Sequence, residues 1–278
     1  MLRIIELFAG IGSQHQALKN IGIAHKVAAI SEWEVAAVKS YKALHCETDT
    51  TDYSKGMSKG EVVNALYALQ ISVDGKEPMT FKQITSKREP WLRTTYNAFQ
   101  ATGNLGSITS IQRLPKADLW TYSFPCQDLS VAGKQAGIKE GTRSGLLYEV
   151  ERLLNVAEQE GALPKYLLME NVKNLVGVRH KKDFDKWIDF LNKLGYWTYW
   201  KVMNAKDYGI PQNRERVFAV SIYSEGYYKF PPKEPLKLRL KDMLEDKIDV
   251  KYYLSKQAIE GMMNSGFNQN KPMVGLGG

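Results

Sequence analysis

The chain has 278 residues, 44% hydrophobic and 24% charged, enough for one large globular domain or one domain and part of another. Its 38 Lys and Arg against 30 Asp and Glu leave a formal charge of +8, which favours a polyanionic partner such as a phosphate backbone. Two cysteines, Cys46 and Cys126, make no disulfide framework and no zinc constellation, and no run approaches the roughly 18 apolar residues of a membrane helix, so a cytoplasmic protein without membrane or metal is expected.

The run Ile4-Ile-Glu-Leu-Phe-Ala-Gly-Ile-Gly-Ser13 reads as a strand entering a tight turn at Gly10 and Gly12, with a helix over residues 14–20. Glycines at such a junction let the backbone approach a ligand closely, as doubly wound folds do with nucleotides. His15 stands where the dinucleotide fingerprint wants a third glycine, which argues against NAD and suits a nucleoside without pyrophosphate. A second strand over 26–31 ends in Glu32-Trp33, about 20 residues beyond the turn, where an acidic side chain grips ribose hydroxyls. Trp33 packs there against an adenine or simply in the core. Residues 34–44 read as a helix. From 46 to 104 the pattern loosens into an insertion at the sheet's edge, with helices expected over 58–71 and 88–100. Its Lys82, Lys87, Arg88 and Arg93, with Trp91, Tyr96 and Phe99, make either a face touching nucleic acid or a solvated face over a small core. Regular α/β alternation is expected to resume at Ser107-Ile108.

Residues 117–124 read as a short buried strand that delivers Pro125-Cys126 to the strand-to-loop junction, the edge of an open α/β sheet where ligands gather. A thiol attacks as thiolate, so an exposed strand end suits Cys126 as a nucleophile; the alternative is a small buried hydrophobe. The glycine-rich stretch 130–142 is too long for a plain connection and belongs to the loops that move or bind. A helix then runs from Arg143 to about residue 160, with Leu146, Leu147, Val150, Leu153 and Leu154 at core-facing spacing. An apolar strand over 164–172 ends on Glu170, placed to read a base's donor edge or to act as a cap or ion-pair partner. A helix over 184–194 and strands over 196–203 and 216–222 follow. Between those strands, a turn leads into Arg214 and Arg216, whose period-two spacing puts them on one strand face, as surface charge or as a grip on a phosphate or carbonyl.

Phe8-Ala-Gly-Ile-Gly12, Glu32-Trp33, Phe124-Pro-Cys-Gln127, Glu170-Asn-Val172 and Gln212-Asn-Arg-Glu-Arg216 are more specific together than singly. In type, order and approximate spacing they resemble the blocks of the DNA (cytosine-5)-methyltransferase family, over residues 1 to about 222. The resemblance implies an α/β, Rossmann-like methyltransferase fold with a mostly parallel doubly wound sheet, a catalytic and cofactor-binding domain over 1–224, and the helical insertion at 46–104. The implied cofactor is S-adenosylmethionine, held by Phe8, Gly10, Ile11, Gly12, Glu32, Trp33, Pro125 and Leu146. In the implied reaction Cys126 adds at C6 of a cytosine flipped out of double-stranded DNA. Glu170 bonds the ring N3 and amine, Arg216 holds O2, and Arg214 supports the site electrostatically. Gln127, Ser130, Gly133, Lys134 and Arg143 fall to the DNA.

Ser107 stands where the family carries an acidic residue, and Ser13 where it carries a further glycine. Residues 225–278 are expected to be a linker and the start of a target-recognition region. The rest of that region and a closing Gly-Asn-Ser-Val type segment have no match. The resemblance therefore implies a fragment, or a split enzyme completed by a second polypeptide, with little or no methylation by the 278 residues alone. The implied setting is restriction–modification or phage DNA protection. Alternatives are a transfer RNA cytosine-5 methyltransferase, a non-catalytic DNA-binding or assembly subunit and, more distantly, a nicotinamide oxidoreductase. The transfer RNA branch is disfavoured by the missing Cys-Phe-Thr segment and by Phe124 before the Pro-Cys pair; a silent subunit is disfavoured by intact Cys126, Glu170 and Arg216.

Overall fold

The computed structural model describes residues 1–125 and 144–264. In chain order the elements are β1 (Leu2–Leu7), α1 (Ser13–Asn20), β2 (His25–Ser31), α2 (Val35–His45), α3 (Lys59–Ala68), α4 (Phe81–Thr85) and α5 (Glu89–Ala101). They continue with β3 (Leu119–Tyr122), α6 (Leu147–Gln159), β4 (Tyr166–Val172), α7 (Lys181–Lys193), β5 (Tyr196–Asn204), β6 (Glu215–Tyr223) and α8 (Lys256–Met263). The six strands form one sheet in the order β2-β1-β3-β4-β6-β5. β2, β1, β3 and β4 are mutually parallel, whereas β6 runs antiparallel to both β4 and β5.

Strands covered on both faces read as near-continuous apolar runs, and β1 does: Ile4, Ile5 and Leu7 are all buried. Ile5 and Leu7 join Trp120, Tyr122, Leu167, Met169, Val217 and Ala219 in the main core. Helices α6 and α7 close that core, α6 through Val150, Leu153 and Leu154 and α7 through Phe184, Trp187 and Leu191. Each such side chain contributes roughly 1.5–3 kcal/mol when fully buried, as an upper estimate. The indole N–H of Trp187 donates to the hydroxyl of Tyr122 at 3.1 Å across this interface. Glu6 alternates with Ile5 and Leu7 and so points the other way, towards α1 and α2.

The insertion lies beside β2, the edge strand, and owns a core of Val62, Val63, Leu66, Ile84, Leu92 and Phe99 that takes in Val35 and Val38 of α2. Two capping boxes start its first helices, Ser58 with Glu61 at α3 and Thr80 with Gln83 at α4. The sequence reading missed α4, because five residues are too short to show a helical period. Ser107-Ile108 opens a 3-10 turn (Ile108–Ser110), so no strand resumes there. Gly106 explains why: its φ is +81°, and a Cβ there would lie 2.2 Å from the Leu69 carbonyl oxygen, which fixes a tight crossing of two backbones. Residues 231–264 are exposed throughout, including Ile259, Met262 and Met263 of α8.

Candidate active site

The chain reverses its winding direction between β1 and β3: β1 leads through α1 to β2 on one side, and β3 lies on the other. Crevices at such switch points, outside the carboxyl ends of the strands, are where open α/β sheets bind ligands. Phe8, Gly10 and Gly12 follow β1, Glu32 and Trp33 follow β2, and Pro125 follows β3. The turn after β1 is built from left-handed residues, with φ of 58° at Phe8, 55° at Gly10 and 83° at Gly12. A Cβ on Gly10 would meet nothing within 4 Å, so the turn is open on that side. Phe8 and Leu146 both pack against the main core, while Ile11 is exposed.

Glu32 ties this turn to the second strand. Its carboxylate accepts from the Gly10 N–H at 2.9 Å and the Glu34 N–H at 2.8 Å, and burial pushes its carboxyl up against the pull of those donors. The Asn104 side chain pairs with the Glu32 backbone, accepting from its N–H at 3.1 Å and donating to its carbonyl at 2.8 Å, so the end of the insertion steadies the acid.

Behind the turn, the fully buried Glu6 accepts from the His15 N–H at 2.9 Å and the Tyr41 hydroxyl at 2.6 Å; burial raises its carboxyl. The His45 Nε2–H donates to the Ile11 carbonyl at 2.9 Å, and the His45 ring sits 4.7 Å from that of Tyr41. His15 shares a 2.9 Å hydrogen bond with His25, and burial, with His45, Lys19 and His25 nearby, pushes it down to about 4. The glycine turn is therefore fixed from below and open above, a cradle suited to a nucleoside-bearing cofactor.

The second half of the site lies where β3, β4 and β6 meet. Glu170 is two residues inside the end of β4, which runs on to Val172. Val172 is paired with Arg216, so Arg216 and Glu170 stand diagonally on one sheet face. The Arg216 Nε reaches Glu170 Oε1 at 3.1 Å, with side chains 23% and 19% exposed. The Ser123 hydroxyl donates to Glu170 Oε2 at 2.5 Å. The buried Asn171 amide donates to the Phe124 carbonyl at 3.1 Å, tying the segment after β3 to β4. Chemically this is a carboxylate with both oxygens oriented, beside a guanidinium, at the root of a strand-end loop.

Arg214 is not on the strand face expected for it. It precedes β6, is exposed, and donates its backbone N–H to the Asn204 side chain at 3.1 Å, because the turn before β6 folds back on Asn204. Cys126, Gln127, Ser130, Gly133, Lys134 and Arg143 lie outside the described residues.

The family model for C-5 cytosine-specific DNA methylases matches residues 2–72 and 76–275. The chain belongs to the C-5 cytosine-specific DNA methylase family. It is 43% identical over 267 residues to the type II methyltransferase M2.ScrFI of Lactococcus lactis subsp. cremoris, covering 93% of this chain and 72% of that protein. To the orphan methyltransferase M.SssI of Spiroplasma monobiae it is 40% identical over 232 residues, covering 81% of this chain and 60% of that protein. Among solved structures, the S. pombe Dnmt2 methyltransferase matches with a TM-score of 0.56 at 19% identity, over 97% of this chain and 66% of that one, a likeness of fold. The chain thus spans between 60% and 72% of the length of these relatives.

For a DNA methylase of this family, the sequence reading picked out Glu170, Arg216, Glu32 and the glycine turn, and the structure places each at the sheet's C-terminal edge. It missed Ser123, Asn171, Asn104, Glu6 and Tyr41. The available signals were an acid inside the apolar β1, a polar residue directly before Phe124-Pro125, and an Asn following Glu170. Among the described residues no helix is long and apolar enough to cross a membrane, and no group of three or more His, Cys, Asp or Glu is arranged to hold a metal.

Proposed function

We propose that this chain is the catalytic part of a DNA (cytosine-5)-methyltransferase that uses S-adenosylmethionine, with residues 1–224 carrying catalysis and cofactor binding and 225–278 beginning the target-recognition part. The observation that carries this reading is the Glu170–Arg216 pair, held at 3.1 Å beside the strand end that leads into Cys126. Exposure of every residue from 231 to 264 supports a division near 224, since nothing there is buried against the sheet.

C5 of cytosine is a poor nucleophile, and addition of the Cys126 thiolate at C6 makes it electron-rich. C6 is out of reach in a stacked duplex, so the base must flip out. One Glu170 oxygen accepts from the exocyclic amine and the other shares a proton with the ring N3, while Arg216 donates to O2, which stabilises charge as sulfur adds. Phe8, Gly10, Ile11, Gly12, Glu32, Trp33, Pro125 and Leu146 form the cofactor crevice, with the Glu32 carboxylate towards the ribose. When bound, S-adenosylmethionine supplies an electrophilic methyl group. Transfer of that methyl to C5 would release S-adenosylhomocysteine, and loss of the C5 proton to solvent would then expel Cys126 from C6 as thiolate. Gln127, Ser130, Gly133, Lys134 and Arg143 contact the DNA, and a second polypeptide supplying further recognition residues fits the same reading. The cellular role that accompanies it is protection of DNA within restriction–modification, in the cytoplasm.

The test is methyl transfer from labelled S-adenosylmethionine by the protein made from its native gene, offered duplex DNA and transfer RNA separately. Label is expected as 5-methylcytosine in the duplex. Label confined to transfer RNA, or absent from both, overturns the proposal.

A further inference from the structure

Ser123 has no role in the reaction as described, yet among the described residues it makes the shortest hydrogen bond to Glu170. We propose that Ser123 is a positioning residue that sets the orientation of the Glu170 carboxylate toward the cytosine ring; this rests on the function proposed above. The hydroxyl donates to Oε2 at 2.5 Å while Arg216 engages Oε1 at 3.1 Å. Charge-assisted O–H···O⁻ bonds fall at about 2.5–2.7 Å and are roughly twice as strong as neutral ones. Among the described residues each oxygen has one donor, which fixes the planar group about its last torsion and leaves further lone pairs on both oxygens toward a base.

The donor is itself held. Ser123 lies between the buried Tyr122, whose hydroxyl receives the Trp187 N–H, and the buried Phe124, whose carbonyl receives the Asn171 amide. Ser123 is therefore part of the segment that continues into Pro125 and Cys126, and its hydroxyl moves with that segment. Glu170 sits on a different strand. The 2.5 Å bond is the contact that aligns the carboxylate with the segment after β3; the Arg216 bond aligns it with β6. An arginine alone would leave the carboxylate free to swing about Oε1, and misplacement by about 1 Å costs on the order of 100-fold in rate.

The experiment compares the native protein with Ser123→Ala and Ser123→Thr on duplex DNA, measuring kcat, KM for S-adenosylmethionine, melting temperature, and the rate of covalent capture by 5-fluorocytosine DNA. For Ser123→Ala the expected result is a fall in kcat and in capture rate of roughly 10- to 100-fold, with KM for the cofactor within about twofold and melting unchanged. Ser123→Thr, which keeps the hydroxyl, is expected to recover to within about threefold of the native rate. The proposal is overturned if Ser123→Ala keeps kcat within about twofold, if a folded Ser123→Thr is as slow as the alanine variant, or if kcat and melting temperature fall together. The native protein separates the two claims: without methylation of duplex DNA by it the proposed function fails, and with that methylation but no effect of Ser123→Ala only this inference does.

Discussion

Replacing Glu170 by glutamine is expected to lower kcat by roughly 10²- to 10⁴-fold, the range typical of a positioned acid or base, with cofactor affinity changed by less than about threefold. Glutamine keeps the shape but removes the charge that Arg216 faces at 3.1 Å, and it offers an amide that cannot both accept from Ser123 and serve the ring as the carboxylate does. The remaining guanidinium loses its counter-ion in a site where the pair is four-fifths covered, so part of the loss comes from Arg216 turning away. Steady-state rates with calorimetric titration of S-adenosylmethionine check this. A glutamine variant with a native rate would remove Glu170 from the chemistry.

The second large effect is expected at Gly12. Its φ of +83° is a left-handed conformation, and a Cβ there would lie 2.5 Å from Nε2 of His45 and 2.7 Å from the ring of Tyr41. Gly12→Ala therefore combines a backbone cost of about 1–2 kcal/mol with an overpacking cost of about 1–3 kcal/mol. His45 can relieve the contact only by leaving the Ile11 carbonyl, and Tyr41 only by leaving Glu6. Either movement loosens the turn that the cofactor crevice is built on. Denaturant unfolding should show a loss of about 2–5 kcal/mol, and S-adenosylmethionine affinity should fall by more than about 30-fold. Native cofactor affinity in a folded Gly12→Ala protein would mean that this turn does not carry the cofactor.

The parts of the fold visible in the sequence were those whose cause is local. Phe8 to Gly12 announced a strand, a turn and a helix because apolar residues and glycines alternate there in a way few other structures use. Glu32 was legible from its distance to that turn. The direction of β6 was not, because a period of two carries no polarity, and its antiparallel pairing with β4 is decided by which neighbour it meets. The position of Glu170 inside β4 rather than at its end was likewise hidden, since the strand alternates evenly through to Val172. Ser123 and Asn171 act across 47 residues of chain, on Glu170 and Phe124, and Tyr41 acts across 35, on Glu6. Nothing in their immediate neighbourhoods records those partners. Arg214 looked equivalent to Arg216 by spacing alone; the start of β6 at Glu215 separates them.

The most direct measurement is covalent trapping. A duplex carrying 5-fluorocytosine at the target base, with S-adenosylmethionine, allows sulfur addition and methyl transfer but has no C5 proton to release. The native protein is predicted to form a complex that survives denaturation, with peptide mapping placing the DNA on Cys126, and Cys126→Ser is predicted to form none. Methylation of cytosine by the native protein with no trapped complex, or a complex joined through another residue, would contradict the account.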